Sequence, residues 1–252
     1  MTERSGQSGL GGKRALVTGG GQRLGQAIAL ALGRAKMRVA VHYHSSRVGA
    51  EATAAAIRST GGDAVLLQAD LNDRSQARRL ADDALTALGG LDLFVASAAN
   101  FERVPFDSVD DEAFDRAIRL NLASPLALAH RLTPALRASR GSMVFITCTS
   151  ATAPFKNYLP YVVSKGALRQ LVRTLALELA PEVRVNAVAP GTVLPPDKMS
   201  PPVLERLVSK IPLGRHGQAA DIAQAVLYLA QASFVTGEEL VVDGGRTVGT
   251  RD

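Results

Sequence analysis

The chain of 252 residues contains one cysteine, Cys148, and that scarcity excludes an internal disulfide and any thiolate-cluster metal site. No apolar stretch approaches the ~18 residues of a membrane span. The N-terminal MTERSGQSGLGG also lacks the apolar core of a secretory signal. A soluble, intracellular, cytoplasmic protein is the expectation. Basic runs are missing too. The formal charge is +6, but the arginines are scattered, without the aromatic-interleaved patch that nucleic-acid binding uses. The excess suits a nucleotide cofactor better than a nucleic acid or a membrane surface. His42 and His44 share one strand face, yet no third ligand accompanies them, so no metal site is expected.

What is present is core-forming material. With 46% hydrophobic residues the chain can bury one large core, and a single domain over residues 13–252 is expected after a flexible leader at 1–12. Short β-branched runs alternate with longer Ala/Leu-rich amphipathic stretches. RALVT precedes LGQAIALALGRA, RVAVHY precedes GAEATAAAIRST, DAVLLQAD precedes SQARRLADDALTAL, and LDLFVAS precedes a helical region at 110–139. SMVFIT, YVVSKGALRQLVRTLALELA, VRVNAVAP, a helix pattern near 219–231 and EELVVDGG continue the series. This alternation predicts an α/β fold, a doubly wound parallel sheet of the Rossmann type with about seven strands and helices on both faces. Residues 190–217, rich in proline and glycine, interrupt the periodicity just after a strand's C-terminal end. That position predicts a substrate lid.

Two constellations carry chemistry. In VTGGGQRLGQAIALAL the glycines Gly19, Gly20 and Gly21 permit a tight turn, and the helix opening near Leu24 aims its first N–H groups at a phosphate. Gly25 lets that helix approach the sheet. The next strand runs into HYHSSRVGAE, with no acid before Glu51 to hold a ribose 2′-OH. His44, Ser45, Ser46 and Arg47 are therefore candidates for a 2′-phosphate pocket. Further on, in YLPYVVSKGAL, Tyr161 and Lys165 lie at i and i+4 and share one helix face. The ammonium is expected to draw the phenol's pKa down from about 10 toward working pH, making it a usable proton donor and acceptor.

With these residues in view the chain resembles the short-chain dehydrogenase/reductase family over nearly its whole length. TGGGQRLG is similar to the family's TGxxxGxG, Tyr161 and Lys165 match YxxxK, VNAVAPGT resembles NxVxPGxx, and FVTGEELVVDGG resembles the C-terminal strand region. The resemblance implies cofactor contacts at Asp70, Leu71, Ser97, Pro190 and Gly191, beside Gly19, Gly21, Arg23, Leu24, Gly25, Tyr161 and Lys165. It makes Asn121 the holder of a water linking Lys165 to solvent, and it implies a homotetramer. The arginine at the middle glycine, Arg23, resembles the TGxxxRxG variant of pteridine reductases, which use NADP(H), and HYHSS resembles their cofactor loop. Phe101 matches the aromatic on which those enzymes stack the pterin ring.

Two places depart from the pattern. The family's NNAG reads ASAA at 96–99, removing polar side chains that tie the fourth strand to its neighbours. The third catalytic position, 13 residues before Tyr161, is Cys148, where the wider family has serine and pteridine reductases have aspartate. A thiol is a weak hydrogen-bond donor. Cys148 is either an apolar filler or a substrate contact, with Thr147 or Thr149 supplying a hydroxyl. The expected activity is NADPH-dependent reduction of a pteridine-like C=N bond, with Tyr161 giving the proton and Phe101, Cys148 and Tyr161 lining the substrate site. A 3-oxoacyl or ketone reductase is the alternative, and a catalytically impaired NADP-binding regulatory protein is the alternative of another class.

Overall fold

The computed structural model describes residues 9–195 and 199–249. In chain order the elements are β1 (Arg14–Val17), α1 (Arg23–Arg34), β2 (Arg38–Tyr43), α2 (Arg47–Ser59), β3 (Asp63–Gln68), α3 (Arg74–Leu88) and β4 (Leu93–Ala96). Then follow α4 (Asp111–Ile118), α5 (Ser124–Ser139), β5 (Ser142–Ile146), α6 (Leu159–Leu179), β6 (Arg184–Pro190), α7 (Pro201–Val208), α8 (Ala219–Gln231) and β7 (Glu239–Val242). All seven strands join one parallel sheet in the order β3-β2-β1-β4-β5-β6-β7. The doubly wound sheet with helices on both faces is as the alternation predicts.

Strand alternation sorts the core into two layers. Ala15, Val17, Leu93, Val95, Val144 and Ile146 face α1, α2 and α8, where they meet Ile28, Leu32, Ile57 and Val226. Leu16, Phe94, Met143 and Phe145 face α3, α5 and α6, where they meet Leu80, Leu132, Leu168 and Val172. Phe94 and Phe145 pack edge to face at 6.0 Å across neighbouring strands. Each such buried side chain stabilises the fold by about 1.5–3 kcal/mol, so both layers hold the strand ends rigidly. The chain winds outward from β1 to β3 and then returns to β4, so the crevice at the C-terminal ends of β1 and β4 is the switch point where such sheets take ligands.

Three expectations are refined. The leader at 1–12 lies mostly outside the described residues, and within it Leu10 is 2% exposed and packs against the α1 layer. The helical region at 110–139 is two helices joined by a π-helical turn, Arg119–Ala123. Within 190–217, part of which lies outside the described residues, α7 is a helix, Ile211 is buried and the Leu213 N–H bonds Gly244 O at 3.1 Å. The far end of the expected lid is thus anchored to the C-terminal segment. The tie weakened by ASAA is made from the other side: Thr18 Oγ1 accepts the N–H groups of Ser97 at 3.0 Å and Ala98 at 3.1 Å.

Candidate active site

The glycine turn is built around a histidine. Gly19, at φ +68°, donates its N–H to His42 Nδ1 at 3.1 Å, and Gly20 donates to His42 O at 2.8 Å. Because Nδ1 accepts, the ring proton sits on Nε2, which donates to Ala69 O at 3.1 Å. Burial lowers the His42 pKa to about 4. His42 is thus a brace between β1, β2 and the end of β3. With the first two amides of the turn engaged, an anion in this crevice meets the N-terminus of α1, whose first turn holds no acidic residue. Arg23 opens that helix in the left-handed region, at φ +50°, and its Nη2 donates to Leu194 O at 2.6 Å. An added Cβ at Gly25 would lie 2.2 Å from Gly19 O, which explains the small residue at the second turn of the motif.

The end of β2 differs in detail from expectation. Ser46 lies against the turn, since a Cβ on Gly21 would stand 2.8 Å from Ser46 Oγ. His44 and Ser45 are exposed, and His44 Nε2 is 4.0 Å from Asp70 Oδ2. Asp70 accepts from the Asn72 backbone at 2.9 Å and side chain at 3.0 Å, and the backbone bond chiefly holds its carboxyl below the usual range. Arg47 is not a free cation: its Nε pairs with Glu51 Oε1 at 2.9 Å, one helical turn away. Both side chains are largely exposed, so a phosphate can compete for the guanidinium at little cost.

At the opposite wall, α6 presents Tyr161 and Lys165 on one face. Lys165 is fully buried, its Nζ donates to Ile146 O at 2.8 Å and lies 5.7 Å from the Tyr161 ring centre, and burial lowers its pKa to about 8. The expected lowering of the phenol is not found. Burial first, and the facing Cys148 second, push the Tyr161 pKa well above 10. Helical spacing brings the ammonium near, but burial of the phenol governs its pKa.

Cys148 is half-buried, and its Sγ accepts the Ser150 N–H at 3.4 Å and faces the Tyr161 hydroxyl. The thiol thus lies beside the phenol in the crevice. Neither neighbouring hydroxyl replaces it, because Thr147 Oγ1 bonds Glu239 and Thr149 Oγ1 bonds Pro190 O at 3.3 Å. Asn121 is buried in the π-helical turn. Its Oδ1 accepts the Asn100 N–H at 3.0 Å, and its Nδ2 reaches Ser164 Oγ at 3.0 Å and Asn100 O at 3.3 Å. That side chain braces the 100–101 loop against α6. Phe101, 57% exposed, stacks on Tyr158 at 4.5 Å and stands edge-on to Tyr161 at 4.8 Å.

Comparison with known proteins settles what kind of molecule carries this crevice. A family model described as enoyl-(acyl carrier protein) reductase matches residues 21–247. The chain belongs to the short-chain dehydrogenase/reductases. It is 35% identical over 248 residues to 3beta-hydroxysteroid dehydrogenase 1 of Eggerthella lenta, covering 95% of each chain. Among solved structures it is similar to a 7 alpha-hydroxysteroid dehydrogenase complexed with NADH and 7-oxo glycochenodeoxycholic acid, with a TM-score of 0.92, 31% identity, and 100% and 99% coverage. It is likewise similar to FolM alternative dihydrofolate reductase 1 from Brucella canis complexed with NADP, with a TM-score of 0.87, 34% identity, and 95% and 96% coverage.

In this short-chain dehydrogenase/reductase the crevice also contains residues that sequence reasoning passed over. Phe155 packs edge-on against Tyr158 at 5.1 Å and Phe101 at 6.2 Å, completing an aromatic wall. Its stretch, APFKNY, has no periodicity to betray it. Thr192 accepts from Arg246 Nη1, and Val193 bridges Gly217, whose N–H bonds Thr192 O at 2.9 Å. Residues 192–194 are thus held from three sides: by the C-terminal segment, by the returning loop and by Arg23. Leu71 lies behind Asp70, its carbonyl accepting from Ser124 Oγ. Pro190 ends β6, and Gly191 sits so near Asp243 that a Cβ would stand 2.4 Å from its side chain.

Proposed function

We propose that this chain is an NADPH-dependent reductase of a flat dihydropteridine-type substrate, with Tyr161 giving the proton to the reduced C=N bond. The observation that carries the reading is the exposed Phe101 ring, edge-on to a buried phenol at 4.8 Å: a planar ring resting on that wall arrives beside a proton donor. The likeness to an NADP-bound alternative dihydrofolate reductase supports it.

The residues fit a dinucleotide phosphate. Gly21 and Gly25 let Ser46 and the turn backbone close in where a Cβ would collide, α1 offers its N-terminus, and Arg23 supplies a cation where two turn amides are already engaged. We assign the pyrophosphate to Gly19, Gly21, Arg23, Leu24 and Gly25, and the 2′-phosphate to His44, Ser45, Ser46 and Arg47. The adenine side goes to Asp70 and Leu71, and the nicotinamide side to Ser97, Tyr161, Lys165, Pro190 and Gly191. When bound, the dinucleotide supplies two electrons as hydride. The chain supplies the rest: Tyr161, held protonated by burial, is a donor suited to reduction, and Lys165, with its pKa near 8, can return a proton to it.

A second reading, reduction of a ketone, is favoured by Cys148, since the group facing the phenol is a thiol and not a carboxyl. One set of assays separates the two. Cofactor oxidation is followed with a dihydropteridine and an activated ketone, in wild type, Cys148→Asp and Cys148→Ser, beside calorimetric titration of NADPH and NADH. NADPH is expected to bind at least about tenfold tighter, since charge-assisted bonds to a 2′-phosphate contribute ~1.5–3 kcal/mol. Cys148→Asp is expected to raise pterin reduction, because a carboxyl relays a proton better than a thiol. Equal affinities for the two cofactors would overturn the NADPH assignment. A serine variant that gains on the ketone, beside an aspartate variant inert on the pterin, would establish the carbonyl reading instead.

A further inference from the structure

We infer that Glu239, at the start of the edge strand β7, is a positioning residue that fixes Cys148 against the Tyr161 hydroxyl by holding Thr147. The inference deepens the reductase reading and rests on it for its kinetic arm only.

The last register pair between β5 and β6 is Ile146 with Val188, so the ladder stops one residue before Thr147. Beyond that point the backbone keeps only the bond from Thr147 N–H to Val188 O at 2.9 Å, and Cys148 then turns away into the 3-10 turn Thr149–Ala151. A strand end released from its ladder needs side chains to fix it. Thr147 is 2% exposed and its single hydroxyl proton has two acceptors in reach, Val188 O at 3.1 Å and Glu239 Oε1 at 2.7 Å. The carboxylate is nearer and charged, so it takes the proton.

Glu239 is itself held. Its side chain is 12% exposed, and Oε2 lies 2.7 Å from Arg169 Nε, a charge contact outside aligned hydrogen-bond geometry. Arg169 follows Lys165 by four residues and Tyr161 by eight on α6, so the three share one stripe of that helix. Lys165 Nζ holds Ile146 O directly, and Arg169 holds Thr147 through Glu239. The helix carrying the phenol therefore grips the two residues before the thiol at two points. Displacements of the order of 1 Å in such a constellation cost up to about a hundredfold in rate.

Because Cys148 is the only thiol in the chain, its alkylation by iodoacetamide reads this geometry without any turnover. Thr147→Val and Glu239→Leu are each expected to change the alkylation rate by about threefold or more, in the same direction. Each is expected to lower kcat about tenfold with KM for NADPH within about twofold. The double variant should be no worse than the single ones, as expected of residues acting through one path. Glu239→Gln keeps an acceptor and Thr147→Ser keeps the hydroxyl, so both should recover most of the wild-type values, which also guards against variants that fail to fold. Leu80→Ala, a truncation on the buried face of α3, serves as the destabilised control. Unchanged thiol reactivity in Glu239→Leu, or the same change in Leu80→Ala, overturns the inference. If wild type reduces no substrate, the reductase reading fails while the thiol rates still decide the role of Glu239.

Discussion

Tyr161→Phe is expected to abolish reduction, by a factor of about 10² to 10⁴, the usual contribution of a positioned general acid. The ring stays, so its edge contact with Phe101 and its packing on α6 stay, and only the hydroxyl facing Cys148 is lost. Dinucleotide affinity should hold within a few-fold. The pH dependence of wild type sharpens the expectation. Burial keeps the phenol protonated beyond pH 10, so the donor itself does not titrate in the working range. Lys165, fully buried with a pKa of about 8, does. Reduction should fall as the pH rises through about 8, where the group that returns the proton loses its charge. Stopped-flow or steady-state rates from pH 6 to 10 check both points, and near-normal rates in the Tyr161→Phe variant would place the donor elsewhere.

Gly25→Ala should be nearly as damaging, through a different cause. The new Cβ would stand 2.2 Å from Gly19 O and 2.7 Å from Gly19 C, both backbone atoms of the turn that His42 braces. No flexible side chain can yield there, so either α1 or the turn must move. Such overpacking costs about 1–3 kcal/mol, and the displaced helix N-terminus should lose at least about tenfold in dinucleotide affinity. Gly166 offers the contrast. It lies within α6, and an added Cβ meets nothing within 4 Å. Gly166→Ala should raise stability by about 0.5–1 kcal/mol, the ordinary helix preference for alanine. Thermal unfolding and calorimetric titration of the two variants would refute the account of the turn if both moved in the same direction.

The two effects concern the parts most legible in the sequence. A glycine turn between an apolar strand and an apolar helix, and a phenol four residues before an ammonium, are local patterns with local consequences, and the strand and helix alternation carries the sheet with them. What escapes is long-range or environmental. Arg23 reaches Leu194 across 171 residues, and Thr147 meets Glu239 across 92. Nothing in either stretch marks its partner. Phe101 is recognisable, but its stacking on Tyr158 depends on how a loop folds over α6. The expected drop in the Tyr161 pKa fails because spacing reports proximity and says nothing of desolvation. The pairing of Arg47 with Glu51 is readable at i and i+4, and is outweighed in the sequence by the expectation of a phosphate.

His42 gives the glycine turn a protonation state as well as a shape. Its two ring nitrogens are committed in opposite senses, one accepting from Gly19 and one donating to Ala69, so a single tautomer serves and the imidazolium serves not at all. A proton on Nδ1 would face the Gly19 N–H, donor against donor. With its pKa lowered by burial to about 4, the ring's contribution is whole above about pH 6.5 and is lost as the pH falls through 4. The ladders of the sheet are backbone bonds and contain no titrating group of their own. Acidification should therefore empty the cofactor crevice before it melts the strands, a sequence of events visible as affinity lost ahead of far-ultraviolet ellipticity. The crevice thus has an acid limit of its own, set at one imidazole beneath the turn.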